Sequence, residues 1–134
     1  MPIHMGWDDQ TQRAIRFDLK GFWTWTAFTD AVADANALVA STDHEVALIF
    51  HPDPIGARHL SSDFLAQVRL IQAKRHPRMG RIVVVLHHND TVVRHMVMVL
   101  SRVLPPATQP AVVETLADAR RFVTALAPAA KAGR

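Results

Sequence analysis

The chain has no cysteine. That excludes thiolate catalysis, cysteine-based zinc sites and disulfide scaffolds together, and it suits a reducing compartment. Glycine is scarce, with five in 134 residues. None of the five lies in a GxxxxGK or GxGxxG pattern, so no phosphate-cradling loop is expected. The GxSxG elbow of serine hydrolases is missing as well. No apolar run reaches the ~18 residues that a membrane span needs. The opening Met1-Pro2-Ile3-His4-Met5-Gly6-Trp7-Asp8-Asp9 carries no basic stretch ahead of an apolar core, unlike a secretory signal. These absences make a cytoplasmic protein the expectation.

What is present fits one domain of ordinary size. We expect it to occupy residues 1–127, with a frayed tail over 128–134. The net charge of +3 conceals an asymmetry. Residues 1–50 hold three basic and seven acidic groups, a balance of −4, and residues 51–134 hold twelve and five, a balance of +7. A basic half can attract nucleic acid, anionic lipid or an acidic protein. The charges are interspersed with apolar residues and no aromatic platform accompanies them, so solvated helix faces are the simpler account and nucleic acid is not expected.

Three apolar runs, Val46–Phe50, Ile82–Leu86 and Ala111–Val113, each precede a helical pattern. That is the signature of βαβ crossovers and a mostly parallel sheet. Ahead of them, Arg13–Lys20 alternates: Ile15, Phe17 and Leu19 point one way, and Arg16, Asp18 and Lys20 the other. Ile3–Trp7 can pair with it as an antiparallel hairpin that turns near Asp8-Asp9. Thr24 is placed to cap a helix whose inward residues are Trp25, Phe28, Val32, Ala35, Leu38 and Val39. Ser61 or Ser62 can cap a second helix reaching about Arg75, with Phe64, Leu65, Val68 and Ile71 inward, before Pro77. Asn89 or Asp90 opens a third over Thr91–Leu104. Thr115-Leu116-Ala117-Asp118 reads as a capping box opening a fourth, with Leu116, Ala119, Phe122, Val123 and Leu126 inward. The predicted order is β-β-α-β-α-β-α-β-α: an α/β fold with a mixed, mostly parallel sheet of four to five strands and about four helices.

Such sheets place working groups at the carboxyl ends of their strands. Those ends read His51-Pro52-Asp53-Pro54 and His87-His88-Asn89-Asp90. His51, His87 and His88, near Asp53 and Asp90, are candidate metal ligands or general bases, although no HExxH or comparable ligand spacing occurs. Polar residues that merely cap strands and helices are the plainer account, and no cofactor is expected. A second candidate is the stretch from Arg58 to Asp63. A serine at a helix N-terminus sits in a field that favours added negative charge, so phosphate on Ser61 or Ser62 would be stabilised by free N–H groups and by Arg58. A plain N-cap explains the same pattern. The third feature is an apolar surplus: Trp7, Phe22, Trp23, Trp25 and Phe28 near the first helix, and Met96, Met98 and Val99 on the third. It fits core packing, a homodimer face, or a cavity for a small apolar or lipid ligand.

The element order, the segment Gly21-Phe22-Trp23-Thr24-Trp25-Thr26-Ala27-Phe28 and the closing Glu114-Thr115-Leu116-Ala117-Asp118-Ala119 resemble the STAS domain, the SpoIIAA-like fold of anti-sigma-factor antagonists, in its uncharacterised bacterial branch. The resemblance covers nearly the whole chain. It implies a non-enzymatic regulatory module that binds a kinase-like or sigma-regulating protein. In that family a partner kinase phosphorylates a serine in a D-S-S/T-G motif, and phosphorylation ends partner binding. The matching segment is Leu60-Ser61-Ser62-Asp63, which places the switch at Ser62. Leu60 stands where the motif has aspartate, and Asp63 where it has glycine. By analogy with CRAL-TRIO lipid-binding folds, the apolar surplus suggests a lipid ligand as the alternative.

Overall fold

The computed structural model describes residues 3–20, 23–52, 64–86, 91–103 and 110–132. The strands are β1 (Ile3–Trp7), β2 (Ala14–Leu19), β3 (Val46–Pro52), β4 (Met79–Val85) and β5 (Ala111–Val113). The helices are α1 (Trp25–Ala40), α2 (Phe64–Lys74), α3 (Thr91–Val103) and α4 (Leu116–Ala132). The order is the one read from periodicity. The strands form one five-stranded sheet in sequential order, with β1 antiparallel to β2 and every later pair parallel.

Sequential order has a consequence for the helices. Each crossover moves the same way across the sheet, and crossovers are right-handed, so α1, α2 and α3 share one face. The core bears this out. Ile15, Phe17, Leu19, Leu48, Ile82 and Val84 meet Phe28, Val32, Ala35 and Val39 of α1, with Ile71 of α2 and Val97 of α3 joining them. Among the described helices only α4, which follows the last strand, takes the other face. There Ala119 and Val123 lie on Ala14, Ala47, Ile49, Val83 and Val85. Both faces of the central strands are covered, which is why Val46–Ile49 is buried at every position.

The helix ends follow the capping residues. The Thr24 hydroxyl accepts from the Ala27 N–H at 3.1 Å, and α1 stops at Ser41, whose N–H donates to Leu38 O. At α4 the Thr115 hydroxyl accepts from the Asp118 N–H at 3.0 Å. The Asp118 carboxylate turns instead to Arg121, so the capping pattern is used from one side. The helical backbone of α4 extends to Ala132 through Pro128, along an alanine-rich stretch that favours helix.

β4 starts at Met79, three residues before its apolar run begins at Ile82. The Arg75 guanidinium holds the extra residues in place by donating to Met79 O and to Gly80 O at 3.0 Å. Burial lowers the Arg75 pKa, and the charge of Glu45 opposes that shift. A Cβ at Gly80 would lie 2.2 Å from Glu45 Oε1, so any larger residue there must displace the Glu45 side chain. The side chains of Phe64, Leu65, Val68 and Met96, and all of Phe22, lie outside the described residues.

Candidate functional site

The register sets the site. His4 of β1 lies opposite Asp18 of β2, and Asp18 lies opposite His51 of β3. Cross-strand partners share a sheet face, so the three form one row near the carboxyl ends of β2 and β3, on the α4 side. His51 Nδ1 is 3.4 Å from Asp18 Oδ1. The other Asp18 oxygen accepts from Arg16 Nε at 3.1 Å, and Arg16 Nη1 donates to Asp8 Oδ1 at 3.1 Å. Arg120 of α4 closes on the same Asp8 carboxylate through Nε and Nη2, at 3.0 and 3.1 Å.

These five residues make a chain, His51–Asp18–Arg16–Asp8–Arg120, in which carboxylates and guanidinium groups alternate and the imidazole stands at one end. It runs from the carboxyl edge of β3 to the β1–β2 turn and ties that turn to α4. The Asp8 side chain is 5% exposed, and its oxygens accept from the two guanidinium partners. Donating to Asp8 raises the Arg120 pKa above its ordinary value, with Coulombic attraction to Asp8 adding to the effect.

An imidazole oriented by a carboxylate is an arrangement that general-base chemistry uses. Here Asp18 is also bound to Arg16, so the pair is one link of an ion chain that holds strands together. Among the described residues no group of three His, Cys, Asp or Glu side chains is disposed to hold a metal ion.

At the other end of the chain, Asp8, Asp9, Thr11, Arg13, Arg120 and Thr124 line a polar cavity of about 70 Å³. Pockets for metabolites begin near ~300 Å³, so this one suits water. Asp9 closes the turn by accepting from the Thr11 N–H at 2.9 Å and from the Thr11 hydroxyl. Those bonds, the hydroxyl's first, hold its carboxyl below the usual carboxylate range.

Most of the described aromatic residues gather on the opposite sheet face. Phe17 and Phe50 stack at 4.8 Å, Phe28 lies 5.8 Å from Phe50, and Trp23 and Trp25 approach Phe28 at 5.2 and 5.7 Å. Their surplus is spent ring against ring in the core, which Trp7 joins from β1.

Of the residues singled out in the sequence, His51 is placed as described. Asp53, Arg58, Ser61, Ser62 and Asp63, with His87, His88 and Asp90, lie outside the described residues. Their segments leave the carboxyl ends of β3 and β4 and lead to the first residues of α2 and α3. Sequence reasoning missed Asp8 and Arg120, which stand 112 positions apart. The only early signal was the alternation that sets Arg16 and Asp18 on one side of β2. No family model matches the chain, and no curated protein or solved structure shows a significant match.

Proposed function

We propose that the chain is a non-enzymatic, STAS-like regulatory module that binds a partner protein around the start of α2 and is switched by phosphorylation of Ser62. The observation that carries this reading is the element order. An antiparallel strand pair is followed by three parallel strands, each with its helix, over residues 3–132, as in the domain the sequence resembles. β3 is the middle strand, and the segment holding Ser61 and Ser62 joins its carboxyl end to α2. Ligands of such sheets gather at the carboxyl edge, which favours this segment for recognition. A phosphate two residues ahead of α2 would meet the helix's free N–H groups.

The test is capture of a kinase-like or sigma-regulating partner from the native host by the wild-type chain and by Ser62→Asp, with the phosphate mapped on the recovered protein. Wild-type capture, loss of capture by Ser62→Asp and phosphate on Ser62 are expected. If Ser62→Asp binds the same partner as well as the wild type, or if no such partner is recovered, the reading fails.

A further inference from the structure

The exposed side of α2 and α3 has a composition that the reading above does not use. The two helices pack against each other on the same sheet face. Neither contains an acidic residue, and between Phe64 and Val113 the sequence has a single one, Asp90. α2 exposes Arg69, Leu70 and Lys74, and α3 exposes Arg94, Met98 and Arg102. On α3 the three follow one another at i, i+4 and i+8, a single stripe. Leu70 is 56% exposed and Met98 52%, the two most exposed large apolar residues described. Arg75 and Arg78 of the following turn are already bound to backbone carbonyls. The stripe cations make no such bond among the described residues.

We propose that this α2–α3 surface docks on a bilayer carrying anionic headgroups. Charge complementarity favours that occupant. Two adjacent helices offer cations without an intervening acid, which suits a uniformly anionic plane. Leu70 and Met98 stand among those cations and can enter the headgroup boundary while the arginine and lysine stems reach outward. A nucleic acid would leave both apolar side chains unused. The acids of this helix layer, Asp30 and Asp34, are on α1, which packs against α2 and marks the far margin of the surface. The inference is independent of Ser62 and of the proposed partner.

The experiment is co-sedimentation of the purified chain with phosphatidylcholine vesicles, with and without phosphatidylserine. Binding is expected only to the anionic vesicles, and it should weaken with salt. Each cation near such a surface contributes about fivefold, so Arg94→Ala/Arg102→Ala should reduce partitioning about 25-fold. Leu70→Ser/Met98→Ser should also reduce it, with the salt dependence unchanged. Arg121→Ala, on α4 at the other sheet face, is the control and should bind as the wild type. Circular dichroism confirms that each variant is folded. The proposal is overturned by equal binding to neutral vesicles, by an equal loss in Arg121→Ala, or by unchanged binding in both stripe variants. It is also overturned if the same residues bind an acidic protein or a nucleic acid while the chain ignores the vesicles.

Discussion

Asp8→Asn tests whether the ion chain holds the β1–β2 turn to α4. The substitution keeps the shape of the side chain and one acceptor, and removes the charge. In the wild type the carboxylate is 5% exposed and accepts from Arg16 at 3.1 Å and from Arg120 at 3.0 and 3.1 Å. A hydrogen bond to a charged group contributes about 1.5–3 kcal/mol net. Breaking a fully buried ion pair costs about 3–5 kcal/mol, because the abandoned charge stays buried. That upper range does not apply here: Arg16 is 29% and Arg120 49% exposed, so both regain water when released. The expected loss is about 2 kcal/mol, or about 6 °C in Tm for a domain of this size. Urea unfolding followed by circular dichroism measures it. A double-mutant cycle with Arg16→Gln should give a coupling of about 1 kcal/mol or more, and one with the more exposed Arg120→Gln should give less. A loss below about 0.5 kcal/mol, the range of exposed surface pairs, would refute the claim that this chain anchors the turn.

Two further substitutions probe local geometry. Gly80→Ala places a methyl group 2.2 Å from Glu45 Oε1, so the Glu45 side chain must swing away from Arg75, at an expected cost of about 1 kcal/mol by denaturant unfolding. In a Glu45→Ala background the same change should be close to neutral, and an undiminished cost there would show that the backbone, not Glu45, demands glycine. Thr11→Val removes the largest cause of the lowered Asp9 pKa. A carboxylate whose folded pKa is depressed adds stability above its unfolded value of 3.8 and loses it as pH falls through the lower folded value. The wild type should therefore exceed Thr11→Val in stability at neutral pH, and the gap should close in strong acid. A gap that stays constant with pH would count against the Asp9–Thr11 account.

The element order was legible because each change of period carries its own punctuation. Thr24 and Thr115 open helices where alternation stops, and the apolar runs of β3 and β4 are too short and too rich in β-formers for helices. The first two residues of β4 were not legible. Met79-Gly80 shows no strand pattern by itself, and what extends it is Arg75 from the preceding turn. Of the carboxyl-edge histidines only His51 falls among the described residues; the residue beside it is Asp18, and periodicity had assigned Asp18 to the polar side of β2. Register alone brings the two together.

That polar side explains why the ion chain escaped notice. In a sheet covered on both faces, an alternating strand looks out of place, because central strands are apolar throughout. β2 alternates because α4 packs over β3, β4 and β5 and reaches β2 at Ala14, the one small apolar residue on that side. Beyond Ala14 the same face of β2 carries Arg16 and Asp18, opposite Gly6 and His4 of β1. The ion chain therefore follows the margin of α4, where the face changes from desolvated to partly wet. Charges there can be held by one another and still be hydrated, so the arrangement stabilises the fold without the full penalty of burial. A sequence records the residues of such a margin, but only the placement of the last helix decides where the margin runs.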